Sequence, residues 1–273
     1  MLQESEIIPY HCSPPVGEKI LVLAPHPDDE TLGCGGTISL LVKAKKQVKV
    51  VFLTSGDKAD PSHKLSKKIY RVNLPTPPLP QGSEKGLLNS HFTEYALLRE
   101  KEAVKALKIL GVGGYEFLRF PDRELDAFSQ DALHRLVQIL REYVPDAIYS
   151  PSPLELNPDH RATAALAVAM HRTMAQSGMA GHLIFYEVTV PLRPNLLVDV
   201  SDSYGRKKKA MKKYESQLRL NNYLHYITAV NIFRTLTVKG TKYIEAFWSL
   251  QTPLNNEEIA RWLSYSELGH TSA

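Results

Sequence analysis

Residues 20–36 read Ile-Leu-Val-Leu-Ala-Pro-His-Pro-Asp-Asp-Glu-Thr-Leu-Gly-Cys-Gly-Gly. The apolar run at the start of this stretch predicts a strand that is buried on both faces. The proline and the acidic residues that follow it are typical of the start of a helix. The stretch therefore predicts a strand-to-helix turn that carries one imidazole, His26, and three carboxylates, Asp28, Asp29 and Glu30.

The rest of the chain alternates apolar runs with amphipathic segments, which favours a mostly parallel sheet covered by helices. We expect strands at Lys19–Ala24, Val48–Leu53, Tyr115–Leu118, Ala147–Tyr149, Leu183–Tyr186, Leu196–Val200 and Tyr243–Trp248. We expect helices at Thr31–Lys45, Tyr95–Leu110, Asp131–Tyr143, Pro158–Met174, Ser203–Leu218 and Asn256–Tyr265. The predicted fold is a single Rossmann-like α/β domain over residues 1–273, with a C-terminal extension of helices and strand from about residue 203.

A proline-rich segment, residues 56–94, interrupts this alternation. Its prolines forbid regular structure across its middle; they are Pro61, Pro75, Pro77, Pro78 and Pro80. A loop of this length in a compact domain is usually a functional lid or a disordered segment. Because it leaves the end of a predicted strand, where ligands bind in open α/β sheets, we expect a lid, with a surface insertion as the alternative.

Composition points to a globular protein of ordinary character. The 273 residues are 43% hydrophobic and 23% charged, with a formal net charge of +4. Without a spanning apolar run or a secretory leader pattern, we expect a cytoplasmic location and free thiols at Cys12 and Cys34. The basic run Arg206–Lys213 is a solvated helix face or a patch for an anionic ligand. No nucleic-acid motif accompanies the run, so we do not expect nucleic-acid binding. The sequence is compatible with either a monomer or a homo-oligomer.

A second chemical cluster, Asn157-Pro158-Asp159-His160, follows the strand predicted around residue 148. The carboxyl ends of parallel strands share one edge of a sheet, so this cluster is expected to meet the first. Catalytic zinc takes three protein ligands plus water. The pattern predicts one metal site built from His26, Asp29 and His160.

Asp28 is adjacent to a predicted ligand and cannot point the same way as Asp29. A carboxylate in this position can act as general base toward water whose pKa zinc has lowered to about 7. The alternative for both clusters is structural, because Asp residues at helix starts are frequently caps and a lone His is frequently a hydrogen-bonded structural residue.

Several motifs resemble those of the PIG-L/LmbE family of zinc-dependent de-N-acetylases. They are residues 24–36, Leu53-Thr-Ser-Gly56, Arg99-Glu-Lys-Glu102, Phe117-Leu-Arg-Phe-Pro-Asp122, Asn157-Pro-Asp-His160 and Tyr214-Glu-Ser-Gln217. The resemblance covers roughly residues 18–250 and implies an LmbE-like fold. It also implies one Zn²⁺ per chain, with another divalent metal as an option, and an N-acetylglucosamine-type amino sugar or its conjugate as substrate.

Individual roles also follow from the resemblance. His26, Asp29 and His160 match the family's zinc ligands, and Asp28 matches its general base. Arg99 and Asp122 match positions that line its substrate pocket.

Asn157 departs from this pattern, because the family motif usually begins with His. An Asn amide can donate a hydrogen bond to an oxyanion, but it cannot deliver a proton. Asn followed by Pro is also a typical N-cap and first helical residue. The departure leaves open a non-catalytic metal-binding or sugar-binding protein of the same fold.

The glycines of the first motif raise a third alternative, an NAD-binding oxidoreductase. Their spacing is not the dinucleotide fingerprint, and they lie inside the predicted helix rather than in the preceding turn. Close packing of that helix on the sheet is the favoured interpretation of Gly33, Gly35 and Gly36.

Overall fold

The computed structural model describes residues 10–59, 69–70 and 92–250. The strands in these ranges are β1 Lys19–Ala24, β2 Gln47–Thr54, β3 Ile69–Tyr70, β4 Phe92–Thr93, β5 Gly114–Phe120, β6 Ala147–Pro151, β7 His182–Tyr186, β8 Leu196–Asp199 and β9 Ile244–Leu250. The helices are α1 Asp29–Lys43, α2 Glu94–Leu110, α3 Ser129–Tyr143, α4 Pro158–Gln176, α5 Tyr204–Met211, α6 Glu215–Leu218 and α7 Tyr223–Phe233.

Seven of these strands form one mixed sheet in the order β5-β2-β1-β6-β7-β9-β8. The five strands from β5 to β7 are parallel, whereas β9 runs antiparallel to both of its neighbours. Helices cover both faces, so the predicted α/β fold is confirmed. The chain turns from β1 toward β2 on one side and reaches β6 on the other, and such a switch point is where ligands bind in open α/β sheets.

The alternation of side chains along β1 divides the core into two layers. Ile20, Val22 and Ala24 pack into the layer on one face of the sheet, and Leu21 and Leu23 pack into the layer on the other. All five are fully buried. This is the reason for the unbroken apolar run: a central parallel strand has no solvent face.

The glycines of the first motif lie in α1, where they allow close packing. A Cβ atom on Gly33 would come within 2.2 Å of the Tyr186 ring, and one on Gly36 would come within 2.7 Å of Val200. The helix is also broken at Cys34, where φ is −137° and ψ is 22°. The glycines therefore bring α1 against the sheet, as the sequence predicts, and do not form a phosphate-binding turn.

The predicted helix Ser203–Leu218 is wrong in its middle. Helix α5 ends at Met211, and α6 begins only at Glu215. Between them Tyr214 has a φ of −85° and a ψ of 56°, and its fully buried side chain reaches toward α1. The break therefore coincides with a residue whose phenol is buried and bonded to Glu30 of α1.

Other predictions have mixed outcomes. Cys12 and Cys34 are free thiols, as predicted. Most of the predicted lid and the helix predicted for Asn256–Tyr265 lie outside the described residues. Among the residues that the structure describes, no helix combines the length and the apolar character that a membrane crossing requires.

Candidate metal and catalytic site

His26 and Asp29 lie on the turn that joins β1 to α1. The Asp29 Oδ2 atom accepts a hydrogen bond from the His26 backbone N–H at 3.0 Å and lies 3.0 Å from His26 Nδ1. A three-residue spacing suits this arrangement because the turn folds back on itself before the helix begins. Both side chains are buried.

His160 approaches the same oxygen from the neighbouring strand. It lies in the first turn of α4, after β6, and its Nε2 atom is 3.2 Å from Asp29 Oδ2. One ligand atom from each of His26, Asp29 and His160 lies within 4.8 Å of the others. The structure thus brings together the three residues that the sequence predicts as ligands; their role in binding metal stays a prediction.

The ring nitrogen of each histidine that does not face Asp29 lies near a further carboxylate. His26 Nε2 is 3.1 Å from Asp159 Oδ2 and 3.3 Å from Asp122 Oδ1. His160 Nδ1 is 3.5 Å from Glu155 Oε2. Metal-ligating histidines characteristically direct their second nitrogen to such a carboxylate, which fixes the tautomer and orients the ring. This donor set therefore fits a metal ion held between the two imidazoles and Asp29.

The charges of the site also favour a cation. Burial by itself lowers the pKa of His26, but hydrogen bonds to Asp122, Asp159 and Asp29 outweigh it and hold that pKa well above its ordinary value. For His160, Asp29 and Glu155 likewise overcome burial and raise the pKa to about 9. The carboxylates thus stabilise positive charge at the point where the histidines converge. Metal binding must displace these protons and is expected to weaken in acid.

Asp28 does not cap α1, although it stands at the N-cap position. Its side chain makes no capping hydrogen bond, and its backbone has a φ of 139° and a ψ of −30°. A non-glycine residue held in such a region costs about 1–3 kcal/mol, and such residues cluster at functional sites. Burial raises the pKa of Asp28 to about 7, against the opposing effect of Arg99. A carboxyl with a pKa near neutrality can both accept and return a proton.

Arg99, from α2, holds the turn that carries Asp28. Its Nη2 atom is 3.1 Å from Asp28 Oδ1 and donates to the Pro27 carbonyl at 2.6 Å, and its Nη1 atom donates to the Gly56 carbonyl at 2.7 Å. A Cβ atom at position 56 would lie 2.1 Å from Nη1, so a larger residue there would have to displace the guanidinium from this position. Arg99 and Asp122 both lie at the site, where they contact Asp28 and His26 respectively; their predicted role in lining the substrate pocket stays a prediction.

Asn157 caps α4 through its side chain. Its Oδ1 atom accepts a hydrogen bond from the Asp159 backbone N–H at 2.9 Å, and Pro158 occupies the first helical position. The cap uses the oxygen of the amide, so the Nδ2 group keeps both of its protons for donation. The interpretation of Asn157 as a helix cap is confirmed, and its role as an oxyanion donor stays a prediction.

The site contains two carboxylates to which the sequence alone assigns no role. Asp159 accepts backbone N–H bonds from Arg123 at 2.7 Å and Leu125 at 3.1 Å, which ties the loop after β5 to His26. Glu155 accepts the backbone N–H groups of Val188 and Thr189 at 2.7–3.0 Å. The sequence signal for Asp159 is its place in the second cluster, but nothing around Glu155 marks it.

Replacing Asp159 by Asn is expected to weaken metal binding by about 10–100-fold, the usual effect of removing a partner of a ligating histidine. The substitution removes the charge behind His26 and one acceptor of the Arg123–Leu125 loop. Zinc affinity, measured by competition with a chromophoric chelator, checks the result. Asp126→Asn, at an exposed carboxylate in the same loop, is the control. Equal affinities for Asp159→Asn and the unmodified protein would contradict the assignment.

The chain is similar to proteins of one known family. The family model of PIG-L, described as GlcNAc-PI de-N-acetylase, matches residues 21–171. Diacetylchitobiose deacetylase of Thermococcus kodakarensis is 29% identical over 216 residues, which cover 73% of this chain and 70% of the relative.

Two solved structures are similar along most of their length. N,N'-diacetylchitobiose deacetylase of Pyrococcus horikoshii is 26% identical, with a TM-score of 0.64 and coverage of 90% of each chain. A conserved protein of Thermus thermophilus is 28% identical, also with a TM-score of 0.64, and the match covers 87% of this chain and 96% of that one.

Because the family model spans more than half of the sequence, the chain belongs to the PIG-L family. It is accordingly an amide-hydrolysing de-N-acetylase. This identification confirms the family that the motif at residues 24–36 predicts.

Proposed function

We propose that the chain removes the N-acetyl group from an N-acetylglucosamine-type amino sugar or its conjugate, using one divalent metal ion, Zn²⁺ in the first instance. The observation that carries the proposal is the convergence of His26 and His160 on one oxygen of Asp29. The adjacent residue, Asp28, has a carboxyl that makes no helix-capping hydrogen bond. The relatives named above include a diacetylchitobiose deacetylase, which supports this class of substrate.

The metal would be held by His26, Asp29 and His160. When bound there, Zn²⁺ supplies a Lewis acid that polarises the amide carbonyl and acidifies water. Asp159 favours the tautomer of His26 that leaves Nδ1 free as a ligand, and Glu155 places a carboxylate 3.5 Å from His160 Nδ1, so that Nε2 faces Asp29. The positions of these side chains therefore determine where the acetamido group of the substrate must lie.

Asp28 acts as the general base and then as the general acid. Its carboxylate takes a proton from the attacking water and delivers it to the amide nitrogen as the carbon–nitrogen bond breaks, giving acetate and the free amine. Arg99 contacts Oδ1 of Asp28 and fixes the carboxylate in place, so Oδ2 remains for this transfer. Without a histidine at position 157, Asp28 carries both proton transfers.

The test is acetate release by the purified chain from N,N'-diacetylchitobiose and from N-acetylglucosamine. We expect release that is abolished by chelation and restored by Zn²⁺, with no release from N-acetyl-lysine, an amide without a sugar. Failure with a broad set of N-acetylated sugars while zinc is bound would instead favour the non-catalytic alternative that Asn157 raises.

The substitution Asn157→Asp separates the two roles of Asn157. Aspartate caps a helix as well as asparagine does, so stability should hold, but it cannot donate a hydrogen bond to an oxyanion. Loss of such a donor lowers kcat by about 10²–10³-fold. We expect this loss with an unchanged thermal midpoint. An unchanged kcat would reduce Asn157 to its capping role.

A further inference from the structure

A buried network links the C-terminal part of the chain to the backbone of Asp28. The hydroxyl of Tyr214 donates to Glu30 Oε1 at 2.5 Å, and the hydroxyl of Thr31 donates to the same oxygen at 2.5 Å. The other oxygen of Glu30 accepts the backbone N–H of Asp28 at 3.2 Å. Glu30, Thr31 and Tyr214 are all at most 1% exposed, so none of them faces solvent or substrate.

The network meets Asp28 at its strained backbone. A φ of 139° is sparsely populated for a residue with a side chain, and it persists only where the surroundings impose it. Arg99 contacts this turn from one side, through the Asp28 carboxylate and the Pro27 carbonyl. Glu30 is the group that holds the N–H of the same residue from the other side.

The path of the chain around Tyr214 supports a dedicated role for it. The backbone leaves helical geometry between α5 and α6, and at this break the phenol contacts Glu30 of α1, 184 residues earlier in the sequence. Glu30 directs both of its oxygens into this network, and the proposed mechanism gives it no proton to move.

We propose that Glu30 and Tyr214 are positioning residues that hold Asp28 in its strained conformation and so aim its carboxylate at the reacting water. The inference rests on the proposed function for its catalytic consequence, but not for the contact itself. Thr31 adds a second donor to the same oxygen and keeps Glu30 in the rotamer that reaches Asp28.

The test uses Tyr214→Phe, which removes one oxygen atom and keeps the ring. We expect kcat for acetate release to fall about tenfold, the scale of one lost hydrogen bond, with KM and zinc affinity unchanged. In an Asp28→Asn background the same change should lower kcat no further, because there is no base left to position. Tyr149→Phe is the matched control: that phenol is also buried and its hydroxyl donates to the Val16 carbonyl, with no contact to Glu30.

A second measurement needs no substrate. Hydrogen exchange of the Asp28 amide, followed by NMR, should quicken about tenfold in Tyr214→Phe and also in the isosteric Glu30→Gln, while Tyr149→Phe leaves it unchanged. An unchanged exchange rate overturns the inference, and so does an unchanged kcat in an active enzyme or an equal loss of kcat in the Asp28→Asn background. If the unmodified chain releases no acetate, the proposed function fails, and the exchange rate alone decides whether the network holds residue 28.

Discussion

Asp28→Asn is expected to lower kcat for acetate release by roughly 10²–10⁴-fold, the contribution of a positioned general acid–base group. Asparagine has the same size as aspartate and keeps an oxygen for Arg99, so the turn should retain its shape. What it loses is the ability to accept a proton. With asparagine already at position 157, no histidine there can take over the transfer, which places the expected loss toward the upper end of the range.

Two measurements accompany this variant. The zinc content of the purified protein, determined by atomic emission, should equal that of the unmodified chain, because Asp28 is not among the three converging ligands. Asp126→Asn, at an exposed carboxylate, should retain full activity. Full activity in Asp28→Asn would remove Asp28 as the base and leave the proton transfers without a carrier in the proposed mechanism.

The convergence of His26, Asp29 and His160 could be predicted from the sequence because it depends on topology alone. Adjacent parallel strands end at the same edge of a sheet. His26 comes two residues after β1, and the second cluster begins at Asn157, six residues after β6, where α4 starts. β1 and β6 are indeed neighbours, with Val22 paired to Tyr149. His26 and Asp29 lie close to the end of β1, and His160 lies in the first turn of the helix that follows β6, so the strand order places these side chains at one edge of the sheet.

The groups that hold this constellation could not be predicted in the same way. Glu155 reaches His160 because the loop after β6 packs on the loop after β7, and Asp159 reaches His26 because the loop after β5 donates to it. The φ of Asp28 depends on Arg99 and Glu30 together. These contacts arise from the paths of loops and from side-chain rotamers, for which apolar periodicity carries no information.

The basic run Arg206–Lys213 follows the expected solvated helix face except at one basic residue. Arg206, Lys208 and Lys209 are exposed, as expected for a solvated face, but Lys207 is fully buried. Its Nζ lies 2.7 Å from Glu245 Oε1. The partner comes from β9, which lies between β7 and β8, so neither this strand order nor the ion pair can be inferred from charge patterning along α5.

Glu245→Ala is expected to destabilise the protein by about 3–5 kcal/mol, because breaking a buried ion pair leaves an uncompensated charge. Glu245 also accepts the backbone N–H groups of Gly36 at 2.9 Å and Thr37 at 2.8 Å, just after the break of α1 at Cys34. It therefore caps the second half of α1 from inside the core. The alanine variant leaves Lys207 and two helix donors without this partner.

The free energy of unfolding, from urea titration, measures the effect. Glu116→Ala is the control: this carboxylate pairs with Lys49 at 3.0 Å and Arg135 at 3.2 Å, but at 28% exposure the pairs are worth about 0–1 kcal/mol. Adding Lys207→Met to Glu245→Ala should recover part of the loss. The buried ammonium, which without Glu245 keeps only the Asn231 amide oxygen as an acceptor, is then gone, while the two helix N–H groups stay uncapped. If Glu245→Ala costs no more than Glu116→Ala, the ion pair and the internal cap do not stabilise the break in α1, and the glycine packing against Tyr186 and Val200 must hold that helix by itself.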